Sequence, residues 1–227
     1  IWVIARRKER LVELAKKSRV PLRIFDGDLQ KKKVYRKLSE AFDRERPDIR
    51  MLVNSAGFGK SGTVTEIAEE SFRSQPDMVD LNCRALTRMT LLCLPRMSRG
   101  SRIVNLASAA AFCPQPFFAV YAATKSYVLS FSRALRAELS ARGILVTAVC
   151  PGPVDTEFFD VSGRTDNPWK KWTMAKASKV VHRALKDSRA GKELSIYGFP
   201  MKAAYLGTVL IPHRVIMELM TAAGGQS

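Results

Sequence analysis

Short apolar runs alternate along this chain with longer segments of helical period. The runs are Trp2 to Ala5, Leu22 to Phe25, Met51 to Val53, Ile103 to Leu106, Ile144 to Val149 and Leu194 to Tyr197, and each predicts a buried strand. Between them, Arg10 to Lys17, Lys31 to Arg46, Met78 to Met97, Phe117 to Arg142 and Ala175 to Arg189 repeat apolar residues at helical spacing. Parallel strands need a crossover helix, and such a sheet must be covered on both faces. The alternation therefore predicts an α/β fold with a doubly wound parallel sheet, whose ligands bind beyond the carboxyl ends of the strands. Ser162 to Trp169, rich in Gly, Asp, Asn and Pro, predicts a loop. Met201 to Met220 is helical in pattern but broken by Pro212, which suggests a subunit contact or a pocket cover. Residues 1–227 read as a single domain, with 201–227 as a C-terminal extension.

Composition changes this picture little. Of 227 residues, 46% are hydrophobic, and no apolar stretch reaches the about 20 residues of a membrane helix, so no transmembrane segment is expected. Lys and Arg number 38 against 21 acidic residues, a net charge of +17. That charge alone would suit a polyanion, but its residues punctuate amphipathic helices and no aromatics are interleaved as stacking platforms, so no nucleic acid partner is expected. Cys83, Cys93, Cys113 and Cys150 form no Cys-x-x-Cys pair, and two histidines cannot complete a metal site. No metal is expected, and the cysteines read as buried small hydrophobes of a reducing, cytoplasmic compartment. Ile1 to Ile4 lacks an initiator Met and a signal-peptide pattern, so the chain reads as starting inside a folded element.

Candidate chemistry begins with a motif to set aside. Gly57-Phe58-Gly59-Lys60-Ser61-Gly62 matches G-x-G-x-x-G, but no acidic residue ends a second strand about 20 positions on, and Asn54 stands where a Walker-type loop needs Gly. It predicts a flexible turn after a strand. Tyr121-Ala122-Ala123-Thr124-Lys125 is more useful, because residues four apart on a helix share a face and can point a phenol and an ammonium into one cleft. The same helix carries Val128, Phe131, Leu135 and Leu139 at core spacing, so Tyr121 could equally edge a buried stripe. Ser108 follows the strand Ile103 to Leu106; Asn54-Ser55-Ala56-Gly57 ends the preceding strand, and Cys150-Pro151-Gly152-Pro153-Val154-Asp155-Thr156 the following one. All fall on one rim.

In this order and spacing, Asn-x-Ala-Gly, a Ser 13 residues before Tyr-x-x-x-Lys, and Pro-Gly after a later strand resemble the short-chain dehydrogenase/reductase signature across residues 1 to 197. The resemblance implies a Rossmann-like fold and hydride transfer between a nicotinamide and a carbonyl or alcohol. It implies Ser108, Tyr121, Lys125 and Asn82 as catalytic residues: Ser108 holds the substrate oxygen, Tyr121 exchanges its proton, Lys125 also binds the nicotinamide ribose, and Asn82 supports a relay water. A phenol of ordinary pKa about 10 is a poor acid at neutral pH, so Lys125 is expected to depress Tyr121. Arg6 and Arg7, standing after Ala5 with no acid, favour NADP over NAD. Asp28 and Leu29 match the adenine contact; Asn54, Ala56 and Gly57 match the adenosine side; Pro151, Gly152, Val154 and Thr156 match the nicotinamide side.

The aromatic residues Phe112, Phe117, Phe118, Phe158, Phe159 and Trp169 fall near the expected pocket, suggesting a hydrophobic or acyl-thioester carbonyl substrate, though aromatics at such positions are as often core. A homodimer or homotetramer is implied. The family's first strand and Gly-rich turn have no counterpart in this sequence, which predicts unpaired strand edges at the centre of the sheet and a fragment of a longer protein. A non-catalytic binding or oligomerisation module is the alternative.

Overall fold

A computed structural model describes residues 1–162 and 174–224. The chain runs β1 (Trp2–Ala5), α1 (Lys8–Lys17), β2 (Arg23–Asp26), α2 (Lys32–Glu45), β3 (Met51–Asn54) and α3 (Val64–Glu70). It continues through α4 (Ser74–Val79), a π-helical turn at Asp80–Ala85 and α5 (Leu86–Cys93), then β4 (Arg102–Leu106), a 3-10 turn at Ala109–Ala111, α6 (Ala119–Leu139) and β5 (Leu145–Val149). The remainder is β6 (Val154–Asp155), α7 (Phe158–Ser162), β7 (Ala175–Lys176), α8 (Ala177–Arg189), β8 (Leu194–Ser195), α9 (Phe199–Leu210) and α10 (His213–Gly224). The expected strands and helices are present within a few residues of their predicted ends. The predicted loop at Ser162 to Trp169 lies almost wholly outside the described residues, as does Trp169.

Periodicity explains the helices. Val34, Leu38, Ala41 and Phe42 of α2 are buried at spacings of four, three and one, an apolar stripe closed against β1 and β2 by Trp2, whose ring lies 5.1 Å from both Phe25 and Phe42. In α3, Thr63 accepts from the Glu66 amide while the Glu66 carboxylate accepts from the Thr63 amide, a reciprocal cap at Thr-Val-Thr-Glu that the pattern of apolar positions does not reveal. Pro212 separates α9 from α10, as its position predicts.

Every ladder is parallel, as the alternation of elements requires: β1 with β2, then β3, β4, β5 and β8 in that spatial order, and the small pair β6 with β7. The sheet is split between β1 and β3. Among the described residues, β1 pairs only with β2 and β3 only with β4, which is the break expected where a central strand has no counterpart in the sequence. A cavity of about 870 Å³ fills the break, lined by all of β1 and β3 and closed by Leu11, Leu38, Phe42, Leu86 and Met89. No helix among the described residues is long and apolar enough to cross a membrane.

Candidate active site

The carboxyl ends of β3, β4 and β5 meet the first turns of α6. This helix is buried on a face carrying Tyr121, Thr124, Lys125, Val128 and Ser132, so the phenol and the ammonium share a face with core residues. Both are inside: Tyr121 is 7% exposed and Lys125 5%. The Tyr121 ring stacks on Phe118 at 4.3 Å and tilts against Phe158 at 5.4 Å, and Lys125 Nζ lies 5.6 Å from its centre. Lys125 donates to the Leu106 carbonyl at 2.8 Å, at the last residue of β4. Ser108, two residues on, caps the 3-10 turn by accepting from the Ala110 amide at 3.1 Å and adjoins Tyr121. The sequence motif and the strand-end serine thus converge.

One expectation is corrected. Lys125 does not lower the phenol here: burial pushes Tyr121 up to about 12, with the Ser108 hydroxyl offsetting part of the rise. The ammonium is spent differently. Burial pushes Lys125 itself down to about 8, and its neighbours Cys83 and Cys150, driven up to about 11 and about 12 by burial, are neutral thiols that supply no counter-charge near pH 7. Among the described residues no carboxylate pairs with Lys125.

Asn82 sits in the π-helical turn, fully buried, and donates from Nδ2 to the Phe58 carbonyl at 2.9 Å and to Thr124 Oγ1 at 3.0 Å. Its Oδ1 accepts from the Phe58 amide at 3.1 Å. It therefore clamps the loop after β3 to α6, as a buried amide with all its partners made. Replacing Asn82 with Ala would orphan both Phe58 backbone groups and is expected to cost about 3 kcal/mol; urea unfolding checks this, and a loss near zero would mean the loop holds without the clamp.

Gly57 explains its own identity, since a Cβ there would come within 2.8 Å of Asn82 Oδ1 and 3.5 Å of Lys125 Nζ. Gly59 is likewise confined, a Cβ meeting the rings of Phe118, Phe158 and Tyr121 at 2.9 Å. The G-x-G-x-x-G match is indeed a turn after a strand. Its glycines serve close packing, and the loop is pinned rather than loose, the Ser61 and Gly62 amides donating to the Ser162 and Phe117 carbonyls.

The cofactor-side residues divide between two spaces. A cleft of about 770 Å³ is lined by Arg6, Arg7, Gln30, Gly57, Phe58, Thr156, Glu157 and Phe158; Phe58 and Phe158 also border Tyr121 in a buried cluster. Asn54, Ala56 and Leu29 instead line the cavity between β1 and β3. Asp28 Oδ1 accepts from the Gln30 amide at 2.9 Å, and the Gln30 side chain donates to the Asp77 carbonyl at 2.8 Å. Pro151 accepts from the Ala109 amide at 2.8 Å, and Val154 pairs with Ala175. Gly152 lies under Met201 of α9, where a Cβ would come within 2.3 Å of its sulfur. Phe112 belongs to the core beside Tyr205, 4.8 Å away, and not to the rim; Phe117, at φ 60°, opens α6 in the left-handed region a bulky residue rarely adopts.

Sequence reasoning missed a buried polar chain behind the site. Asn54 Nδ2 donates to Asn105 Oδ1 at 2.9 Å and to Thr90 Oγ1 at 3.2 Å, and Asn105 Nδ2 donates to Ser132 Oγ at 2.9 Å. An asparagine inside the otherwise apolar Ile103 to Leu106 was the available signal. Arg10 and Glu157 were also missed, and nothing in their local pattern singles them out.

The arginines of the cleft and the buried phenol and ammonium beside it fit a nicotinamide dinucleotide. Comparison with known proteins agrees. Residues 1–187 match the short chain dehydrogenase family profile. Sulfoacetaldehyde reductase 2 of Chromohalobacter salexigens is 35% identical over 162 residues, 67% of this chain and 62% of that protein. A very-long-chain 3-oxoacyl-CoA reductase of Anas platyrhynchos is 31% identical over 176 residues, 71% of this chain and 54% of that protein. The chain thus spans between about half and two thirds of these relatives' length. Among solved structures, a short-chain dehydrogenase from Sphingobium yanoikuyae in complex with NADPH superposes with a TM-score of 0.77 at 26% identity, covering 97% of this chain and 85% of that one. Motif order, parallel topology and the convergence of Ser108, Tyr121 and Lys125 at one strand rim carry the same conclusion as the profile: the chain belongs to the short-chain dehydrogenase family.

Proposed function

We propose that this chain carries the site of an NADP-dependent oxidoreductase that interconverts a carbonyl and an alcohol. The observation that carries the reading is Lys125, a lysine held inside the protein against a backbone carbonyl with no acidic partner among the described residues. Such a charge is costly to bury and is retained where chemistry needs it. Bound in the cleft, the nicotinamide would supply or accept the hydride. In the reducing direction Ser108 Oγ donates to the substrate carbonyl and orients it, and the Tyr121 hydroxyl delivers the proton that balances the hydride. Lys125 stabilises the phenolate left behind and passes it the proton that restores the phenol, the lysine being reprotonated in turn through the polar groups around Asn82. Arg6 and Arg7 would hold the 2′-phosphate end, Asp28 and Gly57 with Leu29, Asn54 and Ala56 of the adjoining cavity would receive the adenosine, and Pro151, Gly152, Val154 and Thr156 the nicotinamide.

The rings of Phe118 and Phe158 around Tyr121, with Phe159 packed edge-on against Phe158, and the relatives named as 3-oxoacyl-CoA reductases support a hydrophobic or acyl-thioester carbonyl as substrate. Exposed Leu91 on α5 and Tyr127 on α6 support a homodimer or homotetramer built on those helices. The buried thiols suit the reducing cytoplasm. NADPH oxidation against a panel of ketones, aldehydes and acyl thioesters tests the reading. Arg7→Ser is expected to weaken NADPH binding about tenfold and NADH binding less than twofold, as loss of one charge-assisted contact requires; equal weakening of both would remove NADP as the cofactor. The split sheet favours one second reading, a binding module without turnover, which predicts saturable NADPH binding with no oxidation of NADPH by any carbonyl tested.

A further inference from the structure

Arg7, just before α1, and Arg10 within it reach across the cleft to one carboxylate. Arg7 Nη1 donates to Glu157 Oε2 at 3.1 Å, and Arg10 Nη1 donates to Glu157 Oε1, so each oxygen takes its own guanidinium. Glu157 lies between β6 and α7, 150 and 147 positions away in sequence from these partners. The ion pairs tie the two walls of the 770 Å³ cleft together, with Arg6, Gln30, Gly57 and Thr156 lining the same space. Arg7 and Arg10 hold the Glu157 carboxyl below its ordinary range, so it is an anion at neutral pH.

Two guanidinium groups converging on the separate oxygens of one anion is also how a phosphate is gripped. A carboxylate and a phosphate dianion cannot both hold this pair without placing like charges side by side. We propose that Glu157 is an internal stand-in for the cofactor phosphate: it clasps Arg7 and Arg10 across the cleft and yields them to a 2′-phosphate, making it a determinant of nucleotide preference. The inference rests on the NADP reading and adds a residue that disfavours access rather than one that attracts. All three side chains are about half exposed, so the clasp is weak enough to open, and a nucleotide without a 2′-phosphate has nothing to exchange for it.

Calorimetric titration of the wild type and Glu157→Gln with adenosine 2′,5′-bisphosphate and with 5′-AMP tests the clasp without any turnover. Glu157→Gln is expected to tighten the bisphosphate about fivefold, the scale of two exposed ion pairs, and 5′-AMP less than twofold. Arg10→Met should instead loosen the bisphosphate several-fold, since it removes a phosphate ligand together with a clasp arm. If the wild type prefers the bisphosphate but Glu157→Gln leaves that preference unmoved, or tightens both nucleotides alike, the clasp is wrong and the NADP reading stands. If the wild type binds both nucleotides equally, the NADP reading itself fails and the clasp falls with it.

Discussion

Tyr121→Phe is expected to lower turnover about 10³-fold while leaving NADPH binding and thermal stability close to wild type. The magnitude is what a positioned general acid contributes. The phenol hydroxyl does little for the fold: the ring packs between Phe118 and Phe158, and the residue's carbonyl, not its hydroxyl, accepts from Thr124 Oγ1 at 2.7 Å. Removing one oxygen therefore spares the packing and takes away only the proton donor. Burial keeps the phenol in its acid form throughout the neutral range. Steady-state NADPH oxidation beside a thermal melt checks the prediction. Equal turnover by the two proteins would mean that another group delivers the proton.

Lys125→Met should separate stability from activity. Turnover is expected to fall at least about 10²-fold, because the phenolate loses its neighbouring cation. Stability at pH 7 should rise. Burial lowers Lys125 from 10.5 to about 8, so holding the charged form inside costs about 3 kcal/mol. Methionine removes that cost but leaves the Leu106 carbonyl without its donor, a penalty of about 1 to 3 kcal/mol. The net expectation is a gain of about 1 kcal/mol, or roughly 2 to 4 °C in melting temperature for a chain of this size.

The pH dependence gives this its sign. Between about 8 and 10.5 the unfolded chain keeps the lysine proton that the folded one has released, so the lysine's contribution to stability improves as pH rises through that window. The advantage of Lys125→Met should therefore shrink from pH 8 upward. Tyr121 and the buried cysteines act oppositely on the wild type, since their raised values make folding retain protons and lose stability above about pH 9. Only the difference between the two proteins isolates the lysine. A variant less stable at pH 7, with a difference that does not change to pH 10, would show that Lys125 is a structural donor to β4 and nothing more.

Much of this was legible residue by residue. The parallel sheet follows from apolar runs too short for helices, alternating with helices whose apolar stripes can cover both faces. The break beside β1 was legible only through the family resemblance, whose first strand has no counterpart in this sequence. The spacing of Tyr121 and Lys125 is local, and so survives any tertiary context that keeps α6 a helix. Ser108 was recognisable because strand ends in this architecture are where ligands meet the sheet. Phe112 stayed undecided in the sequence, because an aromatic near a rim looks the same in one dimension whether it faces the pocket or, as here, Tyr205.

By itself, then, the order of apolar and polar residues determined the fold class and the face shared by Tyr121 and Lys125, because each depends on separations of a few residues or on the count of such segments. Tertiary structure alone decided what depends on burial and on partners far apart in the chain. It raised the phenol that a neighbouring lysine was expected to lower, since desolvation by burial outweighed the Ser108 hydroxyl beside it. It turned Asn82 into a clamp through a π-helical turn, and it brought Glu157 across some 150 residues to Arg7 and Arg10. Electrostatic energy depends on distance and dielectric, and neither is written in the sequence.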